Sequence, residues 1–137
     1  MTTGSSVDLE KRVRELLLAF EKASTVDVGT ILQHFTSDAK FWIWGLQKPP
    51  SVGHDEIRHG LEQLAAAIKD FTISIEHITV GGNTVMVERV EKFTYLGKHQ
   101  VTLPVVGVGG VDADGKFVVW KDYFDPSEMY SLGAAKE

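Results

Sequence analysis

The chain has no cysteine. That excludes a disulfide framework, a thiol nucleophile and any zinc site built on thiolates. No apolar run approaches the ~20 residues that cross a bilayer as a helix, and residues 1–6 are small and polar. Neither a membrane partner nor a secretory leader is expected, and a cytoplasmic location is the default. Basic residues are in the minority, 14 against 19 acidic ones, and form no block, which argues against a nucleic-acid partner. His34, His54, His59 and His99 show no metal-ligand spacing, so no metal site is expected. Repeats, low-complexity tracts and linkers are also missing. What remains is a chain of 137 residues with ordinary globular composition, 43% hydrophobic and 24% charged. That describes one domain over 1–137, large enough to bury a core unaided, with residues 1–6 expected to be flexible.

The first part of the chain reads as mostly helical. Ser5 and Ser6 are good N-caps, and Asp8 and Glu10 suit a first turn. Leu9, Val13, Leu16, Leu17 and Phe20 recur at helical spacing, which predicts an amphipathic helix to about Lys22. After a break at Ser24-Thr25, a shorter helix over 28–35 buries Ile31, Leu32 and Phe35. Phe41-Trp42-Ile43-Trp44 reads as a strand ended by Gly45, and Pro49-Pro50 forces a loop. A third helix starts near His54, with Ile57, Leu61, Leu64 and Ile68 facing inward.

From Phe71 the period changes to two. Phe71, Ile73, Ile75 and His77 alternate with Thr72, Ser74, Glu76 and Ile78, a half-buried strand with His77 on its apolar face. Turns at Gly81-Gly82-Asn83, at 95–98 and at Asp112-Ala113-Asp114-Gly115 separate three further strands. The middle one, over 101–111, carries Pro104 at a bulge or edge, and Gly109-Gly110 reads as a loose strand end. Helices first and a meander after them describe an α+β fold, with three N-terminal helices on one face of a curved, mostly antiparallel sheet.

Two strands carry ions on apolar faces. Alternation puts Val85, Val87, Arg89, Glu91 and Phe93 on one face of the first. It puts Val118, Trp120, Asp122 and Phe124 on one face of the second, with Phe117, Val119, Lys121 and Tyr123 opposite. A lone ion facing a core is costly, so Arg89, Glu91 and Asp122 are expected to partner one another. Antiparallel order lets nearby strands present all three to one cavity.

Glu88-Arg89-Val90-Glu91, followed by Val106-Gly107-Val108 and Trp120-Lys121-Asp122-Tyr123-Phe124-Asp125, resembles the limonene epoxide hydrolase family. That family shows Glu-Arg-x-Asp and Trp-Arg-Asp-Tyr-Phe-Asp at comparable places, and belongs to the SnoaL-like and ketosteroid-isomerase-like cone folds. The likeness implies a cone around an apolar pocket, a small hydrophobic substrate, no cofactor, and a homodimer formed through the sheet face. It also implies a catalytic set of Asp122, Arg89 and Glu91. Asp122 matches the base that activates water, Arg89 the arginine that holds both acids, and Glu91 the acid that protonates the epoxide oxygen. Phe41, Ile43, Trp44, His77, Phe93, Val106, Trp120, Phe124 and Tyr130 are expected to wall the pocket, with Met129 and Leu132 beside Tyr130 at its mouth. Two features depart from the family pattern. Glu91 is one methylene longer than the family's aspartate. An ungapped match puts Phe41 and Ile43 where the family has a tyrosine and an asparagine that position the water; a register shift would put Trp42 and Trp44 there, which donate but cannot accept.

Three readings follow. The residues match an epoxide hydrolase giving a vicinal diol. The same acid–base pair without a held water matches an epoxide-opening cyclase or isomerase. An ion network that only fixes strand register matches a ligand-binding or oligomerisation module.

Overall fold

The computed structural model describes residues 5–22 and 28–127, with side chains from residue 9 onward. The side chains of the expected caps Ser5 and Ser6, the break at Ser24-Thr25, and Met129, Tyr130 and Leu132 lie outside what is described. Helix α1 (Ser5–Lys22) buries Leu9, Val13, Leu16 and Leu17, the stripe its spacing predicted. Helix α2 (Gly29–Leu32) is a single turn that buries Ile31 and Leu32. It stops short of Phe35, which instead opens strand β1 (Phe35–Trp42). Packing decides this: the Phe35 ring lies 5.2 Å from Phe41 and 6.0 Å from Phe117, a stack that a continued helix would break. Strand β2 (Ser51–Val52) and helix α3 (Gly53–Ala67) follow, with Ile57 and Leu61 buried. Strands β3 (Ile68–Gly81), β4 (Thr84–Tyr95), β5 (His99–Val111) and β6 (Phe117–Tyr123) complete the chain.

The six strands form one open sheet in the order β2-β1-β6-β5-β4-β3. Only β1 and β6 run parallel; every other pair is antiparallel. This is the expected α+β architecture. The helices cover the inner face, where one apolar cluster joins α1, α2, β1 and β6 and a second joins Ile68 to Phe93, Tyr95, Val101, Leu103 and Val105. Leu64 touches both clusters. Each fully buried side chain of this size stabilises the fold by ~1.5–3 kcal/mol. Among the described residues no helix is long and apolar enough to cross a membrane.

The strand ladders slip at four places, between Phe35 and Lys40, Lys69 and Thr72, Ile75 and His77, and Gly110 and Val111, and the last two overturn the simple alternation. In β3 the register with β4 slips between Ile75, opposite Arg89, and His77, opposite Glu88. The extra residue turns His77 to solvent and brings Ile78 inward. In β6 the register slips beside Val111, which pairs with Phe117, while Gly110 pairs with Val119. Val118 is therefore exposed, and Phe117 joins Trp120 and Asp122 on the inner face, the reverse of the expected assignment for these two. Pro104 lies opposite Val90, before β6 begins to pair with β5 at Val106, so it occupies an edge as expected. Gly109 is not a loose end: it sits inside β5 between Val85 and Trp120.

Candidate active site

Arg89 on β4 and Asp122 on β6 are separated by β5. The β5 residue opposite both Val87 and Asp122 is Gly107. A Cβ there would come within 2.5 Å of Trp120 Cζ2 and 2.8 Å of Arg89 Nη1. The bare backbone of Gly107 thus makes the trough through which the guanidinium crosses a whole strand. Gly109 repeats the device two residues on, where a Cβ would meet the Trp120 ring at 2.6 Å.

Across that trough the three ions join. Arg89 Nη2 donates to Asp122 Oδ1 at 2.9 Å and reaches Glu91 Oε2 at 2.8 Å. Its Nε donates to the same Glu91 oxygen at 2.9 Å. Asp122 Oδ1 accepts a second hydrogen bond, from Trp120 Nε1 at 2.9 Å. Alternation pairs the ions but does not reveal this indole; a tryptophan two residues before the aspartate on one strand face is the signal for it. Arg89 Nη1 is buried with no hydrogen-bond partner among the described residues. Asp122 Oδ2 and Glu91 Oε1 likewise accept no hydrogen bond from a described residue.

The electrostatics follow from counting charge. One cation faces two carboxylates in a dry setting, with Arg89 1% and Asp122 8% exposed. Burial is the strongest influence on Glu91 and pushes its carboxyl up. Arg89 pulls it down, Asp122 pushes it up again, and the result is about 7. Near neutral pH Glu91 can therefore hold the proton that makes the cluster neutral. Burial alone would lower Arg89, but the two carboxylates outweigh it and raise it further, so the guanidinium stays charged.

The cluster opens on a cavity of about 390 Å³. Phe41, Ile43, Trp44 and Phe124 line it, as expected, and so do Phe20, Ile31, Leu64, Phe71, Leu103 and Val105. Four expected wall residues do not. His77 is on the outer side of the bulge, 2.7 Å from Glu88. Val106 faces outward opposite Glu88 and Tyr123. Phe93 is packed behind Phe71, 6.0 Å between ring centres. Trp120 is fully buried beneath the cluster, edge-on to Phe117 and Phe20. Tyr130 falls outside the described residues. Phe20 and Phe71 were legible as apolar but not as wall, because the helix and bulge geometry that aims them is not in the alternation. Among the described residues no group of His, Asp and Glu is placed to hold a metal.

A helix-backed, open mixed sheet enclosing an acid–arginine–acid cluster defines a cone-type α+β domain. The sequence matches the SnoaL-like domain over residues 13–120, and the chain belongs to that family. It is similar in structure to an LEH-like epoxide hydrolase from Mycobacterium tuberculosis, at 24% identity and TM-score 0.76, over 93% of this chain and 90% of that one. An NTF2-like protein of unknown function from Burkholderia pseudomallei superposes with TM-score 0.79 at 21% identity, over 93% and 98%. The epoxide hydrolase/cyclase-like enzyme SalBIII, of pyran ring formation in salinomycin, gives 0.72 at 22% identity, over 88% and 95%. At these identities the likeness establishes the NTF2-like cone fold. No curated protein matches the sequence significantly.

Proposed function

We propose that the chain opens the ring of a hydrophobic epoxide by one-step general acid–base catalysis, with water as the nucleophile and a vicinal diol as product, as in the limonene epoxide hydrolase family that its motifs resemble. The observation that carries this reading is the asymmetry of the bridged pair. Asp122 has one oxygen tied to two N–H donors and the other free in a cavity it lines. Glu91, raised to about 7, supplies a proton beside it. Asp122 Oδ2 takes a proton from water while the new C–O bond forms at one epoxide carbon. The ring C–O bond breaks at that carbon, and the Glu91 carboxyl protonates the departing oxygen. Exchange with solvent then returns a proton to Glu91 and removes one from Asp122. Arg89 and Trp120 are positioning residues that hold the two carboxyls apart in role.

A second reading has its own support. A held water needs two to four polar partners, and the β1 segment beside Trp120 offers Phe41, whose side chain cannot hydrogen-bond. Ile43 next along the wall cannot either. A hydroxyl of the substrate itself, placed by the rest of the molecule, needs no such partners and would close a ring.

Turnover of hydrophobic epoxides in oxygen-18 water, with Asp122→Asn as control, tests both. Singly labelled diol, reduced by ~10²–10⁴ in the variant, supports hydrolysis, whereas unlabelled cyclic product supports the second reading. Epoxide consumption equal in the variant and the parent would remove Asp122 from the chemistry. Because Glu91 must be protonated, kcat/KM should fall as pH rises through about 7.

A further inference from the structure

Besides the Tyr95 side chain, the polar side chains of the cavity fall into two groups. One is the buried cluster, where the Arg89 charge is already committed to both carboxylates. The other lies at the rim, where exposed Lys48 and Gln63 line the opening. Neither makes a hydrogen bond or ion pair with another described residue. Lys48 is thus the cavity-lining cation left uncommitted among the described residues, in a chain of net charge -5.

Its placement is constrained by the chain. Lys48 precedes Pro49-Pro50, and a residue before proline is held to extended backbone. The loop starts from Gly45, whose φ of +82° suits glycine and where a Cβ would meet the Phe124 ring at 3.2 Å. Asp55 and Glu56 border a second cleft, which shares Trp44 and Gln63 with the first. Glu56 is held there by the Val52 N–H at 2.7 Å.

We propose that the substrate is amphipathic: an apolar body carrying the epoxide fills the cavity, and a carboxylate head stays at the rim on Lys48, with the Gln63 amide as second donor. This rests on the epoxide-opening reading and specifies its substrate class. The reverse orientation is disfavoured, because it would put the carboxylate among apolar walls and against the negative charge of Asp122. A few polar groups in an otherwise apolar pocket fix orientation in this way. The cavity volume of about 390 Å³ corresponds to roughly a dozen water-sized heavy atoms, the size of a medium-chain epoxy acid.

The test compares the terminal epoxide of decenoic acid with its methyl ester. The parent enzyme should favour the acid in kcat/KM by roughly three- to tenfold, with the preference carried by KM and shrinking as salt is raised. Lys48→Met should bring the acid-to-ester ratio to about one, and Lys48→Glu should invert it. Equal preference in the parent, or an acid preference that survives Lys48→Met, overturns the proposal. Titration of tryptophan fluorescence with decanoate and with methyl decanoate gives the same comparison without turnover. An acid-selective, Lys48-dependent binding isotherm in a protein that consumes no epoxide would support the head-group site and reject the reaction. Equal binding of both ligands beside genuine epoxide turnover would do the opposite.

Discussion

Two polar contacts leave opposite faces of β4, and they differ in nearly everything except distance. On the outer face Glu88 meets His77 at 2.7 Å, with side chains 59% and 78% exposed. On the inner face Arg89 meets Glu91 at 2.8 Å and Asp122 at 2.9 Å, with Arg89 sealed from solvent. The outer pair lies in water, where a contact of this kind is weak and side-chain ordering offsets it. The inner set cannot share its charge with solvent, so it redistributes a proton instead, and Glu91 moves into the physiological range. Contact distance does not make a catalytic acid; exclusion of water does.

Substitutions should separate the two sites by size of effect. Arg89→Ala leaves two buried carboxylates without their cation. It should cost ~3–5 kcal/mol in denaturant unfolding and abolish turnover; an unchanged midpoint would mean the carboxylates are not held as described. Gly107→Ala puts a methyl where Trp120 and Arg89 already lie. Overpacking of this kind costs ~1–3 kcal/mol, and moving the bridge by about 1 Å should cost ~10² in kcat. Both would be read on the purified variant beside its parent.

The pH dependence of stability comes next. Glu91 is raised from 4.5 unfolded to about 7 folded, so the native state binds the extra proton. Stability should be fullest below about pH 4.5 for this group and fall as pH rises to about 7, by on the order of 1–3 kcal/mol. Glu91→Gln should flatten that slope, and an unaltered slope in the variant would assign it to another group. The smallest effect belongs to the outer pair. Glu88→Ala should change stability by less than ~1 kcal/mol and leave the pH profile of turnover unchanged; a shift in that profile would blur the contrast between the faces.

The ions were legible in the sequence because period-two alternation puts Arg89 and Glu91 among valines on one face, and a charge there demands a partner. Trp-Lys-Asp on β6 supplied the partner by the same rule. The bulges were not legible: a single extra residue at Glu76-His77 or at Val118 reverses the side chains on one side of it while leaving composition unchanged. That is why His77 read as pocket wall and Val118 as inner face. Val106 and Trp120 failed differently. Val106 lies on the solvent side of a strand whose apolar residues occupy both faces, and Trp120 lies inside but one layer too deep. Gly107 stood inside a recognisable motif, yet its task as a bare trough for Arg89 depends on a crossing between strands that no local pattern records. Lys48 carried no motif at all and became visible only once the cavity had a rim.

The central claim is that burial beside Arg89 and Asp122 gives Glu91 a proton to donate near neutral pH. Carbon-13 labelling of the glutamate side-chain carboxyls, with the Glu91 resonance assigned by loss in Glu91→Gln, measures this directly by NMR titration. The account predicts a Glu91 midpoint of about 7, falling when Asp122→Asn removes the second negative charge. A midpoint near 4.5, that of an ordinary glutamate, would contradict it and leave the cluster a structural ion network.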